Sequence, residues 1–315
     1  MKQKSKLLIL FTSLVTVSIH MMNRLEYSHA TSKNILACRD NHYYEWRFGK
    51  IRYRKKGQGA PLLLLHDLSL GSSSYEFSRL IDSLSKKHEV YALDFLGYGL
   101  SDKPNITFTN FLYVQMVTDF IQNVIGRKTD VIATGDSCPI SIMTCHNNSN
   151  VFGKLILINP QSLTKLNQIP SKQTKILKLL IETPILGTFL YNILTSKATF
   201  KKCFTEEYFS KPYHIEEKDI SSYYEASHLW DYNSKYAYAS CLGRYININI
   251  IHALKQINHS IYIIGGLDKI DNKKIIDNYV FYNSAIKTSL IQGTKQLPHM
   301  EKPKAVLDQL TIFLN

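Results

Sequence analysis

Six short, nearly unbroken apolar runs constrain this chain more than any other feature. They are Pro61–Leu65, Val90–Leu93, Val131–Ala133, Leu155–Ile158, Ile261–Ile264 and Ser289–Ile291. A half-exposed strand alternates apolar and polar residues. An unbroken run has no polar face to give to water and needs cover on both sides, as in a parallel sheet. Helical stripes lie between the runs: Phe77, Leu80, Ile81 and Leu84; Val117, Phe120, Ile121 and Val124; Val306, Leu310, Phe313 and Leu314. The alternation predicts an α/β fold, a mainly parallel sheet with helices on both faces. Ahead of the first run, Tyr44–Phe48 and Lys50–Arg54 alternate as half-exposed strands do, with Gly49 as the turn between them.

The alternation lapses between about residues 163 and 258. That stretch is helix-like and rich in aromatics, among them Tyr191, Tyr208, Tyr223, Trp230 and Tyr236. It enters and leaves between two strands, so it reads as a helical cap over the sheet edge, ahead of the plainer reading as a second core layer. The domain proper is expected over residues 43–315.

Residues 1–30 read differently. Lys2, Lys4 and Lys6 precede an uncharged stretch from Leu7 to Met22. At 1.5 Å per residue it spans about 24 Å, a little short of a ~30 Å hydrocarbon core. Ser28-His29-Ala30 is a small-x-small site, but Arg24 and Glu26 separate it from the apolar stretch. An uncleaved anchor outside the fold is therefore favoured over a cleaved signal peptide. The leading lysines place the N-terminus in the cytoplasm and the domain outside, with secretion as the alternative. Ile35-Leu36-Ala37-Cys38 lies too far along to serve as a lipoprotein site.

The net charge is +13, but only 8 of the 38 basic residues are Arg. Lysine suits a solvated or loosely anion-attracting surface better than bidentate phosphate recognition. With no nucleic-acid motif present, no nucleic-acid partner is expected. The five cysteines show no metal-site spacing, so neither a metal nor another cofactor is expected. Cys203 and Cys241 are open to pairing or to remaining free.

Five stretches bear on chemistry. They are Leu64-Leu65-His66-Asp67-Leu68, Asp94-Phe95-Leu96-Gly97-Tyr98-Gly99-Leu100-Ser101, Gly135-Asp136-Ser137-Cys138-Pro139, Gly265-Gly266-Leu267-Asp268 and Leu297-Pro298-His299-Met300-Glu301. In this order and spacing the chain resembles the α/β-hydrolase superfamily, in its capped branch. The resemblance implies a serine hydrolase acting on an ester or similar acyl bond of a small, apolar substrate. Ser137 at the strand-to-helix elbow would be the nucleophile, the amides of Leu68 and Cys138 the oxyanion hole, Asp268 the acid and His299 the base. A shifted register would instead make Asp136 the nucleophile, and Asp271 stands in reserve for Asp268. His66 and Asp94 read as structural braces.

Three departures support a competing expectation, a catalytically impaired binding protein. Pro139 occupies the last glycine place of the elbow. Asp67 stands where glycine is preferred, and it is unhelpful if its carboxylate points inward. Gln296 stands where the catalytic histidine belongs, and an amide cannot act as a general base.

Overall fold

The computed structural model describes residues 2–37, 40–230 and 232–314. Cys38 lies outside them. Eight strands form one sheet: β1 (Asn41–Trp46), β2 (Gly49–Lys56), β3 (Ala60–Leu65), β4 (His88–Leu93), β5 (Thr129–Thr134), β6 (Phe152–Ile158), β7 (Ile261–Gly266) and β8 (Lys287–Ile291). Their order is β1-β2-β4-β3-β5-β6-β7-β8. β1 pairs antiparallel with β2 and β2 antiparallel with β4, while the other neighbours are parallel.

The unbroken runs become the parallel strands because successive side chains point to opposite faces. Leu63 and Leu65 enter one core with Val131 and Leu155, while Leu62 and Leu64 enter the other with Ile132 and Ile156. Ile51, in the alternating hairpin, is fully buried while its neighbour Lys50 stays outside.

The helices are α1 (Lys2–Thr31), α2 (Ile81–Leu84), α3 (Asn110–Phe120), α4 (Ser137–Asn147), α5 (Leu163–Leu166), α6 (Lys172–Glu182), α7 (Ile185–Leu194), α8 (Lys197–Cys203), α9 (Glu217–His228), α10 (Ser234–Leu242), α11 (Ile251–Gln256), α12 (Asn272–Tyr282), α13 (Pro298–Glu301) and α14 (Pro303–Leu314). Helices α5 to α11 fill the insertion between β6 and β7. The stripe expected over residues 77–84 is not one helix. A 3₁₀ turn at Ser74–Phe77 precedes α2, because the Ser73 hydroxyl and the Asp94 carboxylate take the Tyr75 and Ser74 amides.

The N-terminal segment departs from expectation too. Its second half is packed on the insertion, where Ala30 is buried with Phe200 and Tyr223. Asn23 is buried, donates to the Ile185 carbonyl at 3.3 Å and accepts from the Asn192 amide at 2.9 Å. The Glu26 carboxylate accepts from the Tyr224 hydroxyl at 2.7 Å. Cys203 and Cys241 are both free thiols.

Candidate active site

The chain turns from β5 into α4 through two residues, Gly135 and Asp136. Gly135 has φ +53°, a left-handed conformation that glycine adopts without a Cβ penalty. Asp136 is already right-handed, with φ −73°. A nucleophile elbow places its reactive side chain on the strained residue of this turn. Gly135 holds that place, with the small residues Ala133 and Ser137 two positions to either side.

Ser137 is the first residue of α4 and is fully buried. Its Oγ lies 2.8 Å from the Thr134 carbonyl and 3.0 Å from the Leu65 carbonyl, and it accepts from the Thr134 amide at 3.0 Å. The hydroxyl thus ties the ends of β3 and β5 together and does not face a base. Asp136, the alternative nucleophile, is not at the apex either, and its carboxylate lies 3.3 Å from the Lys165 ammonium.

Two amides do converge as an oxyanion hole requires. The residue after the apex donates, Asp136 N to Asp67 Oδ1 at 2.6 Å. Leu68 N donates to the same oxygen at 2.8 Å. These spacings lie at the short end of the range of about 2.7–3.1 Å expected for oxyanion donors. The Leu68 amide is thus one of the two convergent donors, and the Cys138 amide is not. The Cys138 amide is spent on the Gly135 carbonyl at 3.3 Å, and its thiol is buried against backbone carbonyls.

The hole is filled by the chain itself. A Cβ built on Gly135 would lie 2.2 Å from Asp67 Oδ1 and 2.3 Å from its carboxyl carbon. The Asp67 carboxylate thus occupies both the space between the two amides and the space a side chain at position 135 would need. Burial, then the neighbouring Asp136 and Glu76 carboxylates, push its pKa up to about 7.

The remaining partners are scattered. His299 is fully buried, and neither ring nitrogen has a hydrogen-bond partner among the described residues. Its Nε2 lies 3.7 Å from Glu76 Oε2, and its ring packs on Phe77. Glu76 accepts from Tyr223 at 3.1 Å, from the Thr134 hydroxyl at 3.0 Å and from the Asp67 amide at 3.2 Å. Burial alone would raise this carboxyl, but the facing His299 and His66 rings and the Ser72 hydroxyl hold it below its usual value. Sequence reasoning missed Glu76, because an isolated glutamate in a helical stripe carries no signal of burial.

Asp268 is exposed. It accepts from the Ser210 hydroxyl at 2.5 Å and the Gly293 amide at 3.2 Å, and neither partner is His299. Asp271 precedes α12 in a left-handed conformation and makes no capping bond. The carbonyls of Lys295 and Gln296 accept from Asn159, which fixes the loop after β8. The structure therefore does not bring Ser137, Asp268 and His299 together.

Two braces complete the site. His66 accepts the Phe95 amide on Nε2 at 3.0 Å, so Nδ1 carries the proton and donates to the Asp67 carbonyl at 2.6 Å. Asp94 accepts from the Ser74 and Leu100 amides and pairs with buried Arg52 at 3.3 Å. Beneath the helical insertion, Ser69, Tyr98, Tyr191 and Tyr238 enclose a space of about 10 Å³, room for one water at most.

This architecture agrees with the comparisons. Residues 62–309 match the alpha/beta hydrolase family, and the chain belongs to that family. One relative, the 2-hydroxy-6-oxo-6-(2'-aminophenyl)hexa-2,4-dienoic acid hydrolase of Metapseudomonas resinovorans, is 33% identical over 118 residues, covering 36% of this chain and 40% of that protein. Another, the cis-3-alkyl-4-alkyloxetan-2-one decarboxylase of Shewanella oneidensis, is 33% identical over 64 residues, 20% of each chain. The matched stretches span well under half of these curated relatives. Among solved structures, the epoxide hydrolase CorEH superposes with a TM-score of 0.71 at 19% identity, covering 87% of this chain and 98% of that one. A serine hydrolase involved in carbazole degradation superposes at 0.69 and 16% identity, with the same coverage. At these identities the likeness is one of fold.

Proposed function

We propose that this chain is a catalytically impaired member of the family, a binding protein that keeps the hydrolase scaffold without its serine chemistry. One observation carries the reading. The left-handed apex of the elbow is Gly135, and the Asp67 carboxylate lies in the space its side chain would need. The buried Ser137 hydroxyl and the Gln296 position point the same way. The competing reading, an esterase-like hydrolase of small apolar substrates, is favoured by the convergent amides of Leu68 and Asp136, which keep the oxyanion geometry. It would need Asp67 to leave that hole and a nucleophile to enter from elsewhere. The names of the relatives concern small organic acids and oxetanones, and such a ligand would have to open the insertion.

The proposal includes membrane attachment through α1, with the folded domain on the extracytoplasmic side. The sequence of lysines followed by exposed apolar residues supports it. No single described helix is long and apolar enough to cross a bilayer.

Turnover of short-chain p-nitrophenyl esters by the full chain tests the loss of chemistry. The expected rate is that of buffer, unchanged by Ser137→Ala or His299→Ala. Turnover above background that either substitution abolishes would restore the hydrolase reading.

A further inference from the structure

Two helices of the insertion carry apolar residues on their outer side as well as inward, which a cap that only covers a sheet does not need. On α6, Ile176 and Leu179 are 66% and 63% exposed, and Leu177 and Leu180 are exposed beside them. On α7, Leu186 and Ile193 are exposed, while the polar Thr188 and Asn192 are buried. Scattered exposed apolar residues are normal, but a contiguous apolar face marks an interaction site.

Two features bear on what covers this face. The first is charge. Residues 163–202 hold seven lysines against one acid, Glu182, and although Lys165, Lys178, Lys197 and Lys202 are paired with Asp136, Glu182, Glu217 and Glu206, Lys172, Lys175 and Lys201 add positive charge there. Lys172 and Lys175 are exposed on α6 itself. An apolar helix face bordered by lysines suits an anionic lipid surface. The second is continuity with α1. Asn23 of α1 bonds both ends of α7, at Ile185 and Asn192. The preceding turns of α1 expose Leu10, Phe11, Leu14 and Val17.

Neither cap helix can span a bilayer alone, and together they are long and apolar enough only as a sharply bent pair. α6 has 11 residues and α7 has 10, and they meet at 101°. At 1.5 Å per residue each is about 15 Å long, half of a ~30 Å hydrocarbon core. The bend is built in. Pro184 cannot continue a helix in register, Thr183 is extended, and its hydroxyl accepts the Gly187 amide at 2.8 Å. A Cβ on Gly187 would lie 2.3 Å from the Ile181 carbonyl, so the two helices close tightly there.

We infer that α6 and α7 form a platform that lies in the headgroup region of an anionic bilayer without crossing it, beside the α1 segment that attaches the chain. The inference deepens the membrane attachment proposed through α1, and in part rests on it. It turns a tether into a fixed orientation, with the insertion against lipid.

Cysteines placed one at a time at Leu179, Leu10 and Phe281 in the full chain, each carrying an environment-sensitive fluorophore, test it. The parent, labelled in parallel, gives the background from native thiols. Phe281 is exposed on α12, outside the insertion. With vesicles of phosphatidylcholine and phosphatidylglycerol, the probes at 179 and 10 should shift to the blue and be quenched several-fold by nitroxide lipids, while the probe at 281 stays unchanged. Lys172→Glu with Lys175→Glu should weaken binding several-fold, and raised salt should do the same. Quenching at 10 without quenching at 179 would keep the anchor and overturn the platform. Quenching at 179 without quenching at 10 would keep lipid docking by the insertion and overturn attachment through α1. A blue-shifted probe at 179 without lipid, together with a dimeric mass, would assign the face to a second copy. Silence at both positions would overturn both readings.

Discussion

Gly135→Ala is expected to destabilise the fold by about 3–8 kcal/mol in the parent, and by only about 1–2 kcal/mol when introduced into an Asp67→Gly background. Two costs add in the single variant. A non-glycine residue held left-handed costs about 1–2 kcal/mol. The new methyl also meets the Asp67 carboxylate at 2.2 Å. That carboxylate must then leave the Leu68 and Asp136 amides, and each buried donor left unpaired costs ~1–3 kcal/mol. In Asp67→Gly the two donors are already unpaired, so Gly135→Ala adds only the backbone cost there, and the second cost appears as coupling in a double-mutant cycle. Denaturant unfolding of the four proteins checks it. Additive effects would mean that Asp67 does not hold the place of the elbow side chain.

Asp67→Asn should stabilise the protein above neutral pH and leave it unchanged in acid. The folded carboxyl titrates at about 7, against an ordinary value of 3.8. Between those values the folded state holds a proton that the unfolded chain has lost. Stability must therefore fall as pH rises from about 4 to 7 and level off above that. At ~1.4 kcal/mol per pH unit the difference amounts to at most roughly 4 kcal/mol. Asparagine keeps an oxygen to accept both amides and carries no charge to desolvate. Unfolding midpoints at pH 4 and pH 8 should agree with the parent at the lower pH and exceed it at the higher. A parent whose stability is flat across that range would place Asp67 in water and out of the hole.

The two halves of the molecule differ in how legible they were. The sheet could be read because Leu62–Leu65, Val131–Ala133 and Leu155–Ile158 lack any polar face, and only a doubly covered strand satisfies that pattern. The insertion could be read where the alternation stopped. The elbow could not, because its register depends on which residue turns left-handed. Residue type points to Ser137, whereas the backbone chose Gly135, two residues earlier. One sequence sign was present. Shifting the motif by two residues removes the anomaly of Pro139, which then falls in the first turn of α4, where proline is tolerated. The direction of the Asp67 side chain and the burial of Glu76 against His299 come from tertiary packing and leave no trace in spacing. The docking of α1 was hidden for a related reason. Asn23, Glu26 and His29 look like a polar exit from an apolar segment, and their partners lie more than 150 residues away at Asn192 and Tyr224.

The central claim is that no activated serine exists at the elbow. It is met most directly by exposing the folded full chain to a fluorophosphonate probe and measuring the intact mass, with peptide mapping of any adduct. Such probes require a serine made nucleophilic by its surroundings. An unmodified mass is the result expected from a hydroxyl buried against the Leu65 and Thr134 carbonyls. An adduct on Ser137 formed by the native protein, and not by chain unfolded before exposure to the probe, would contradict the account.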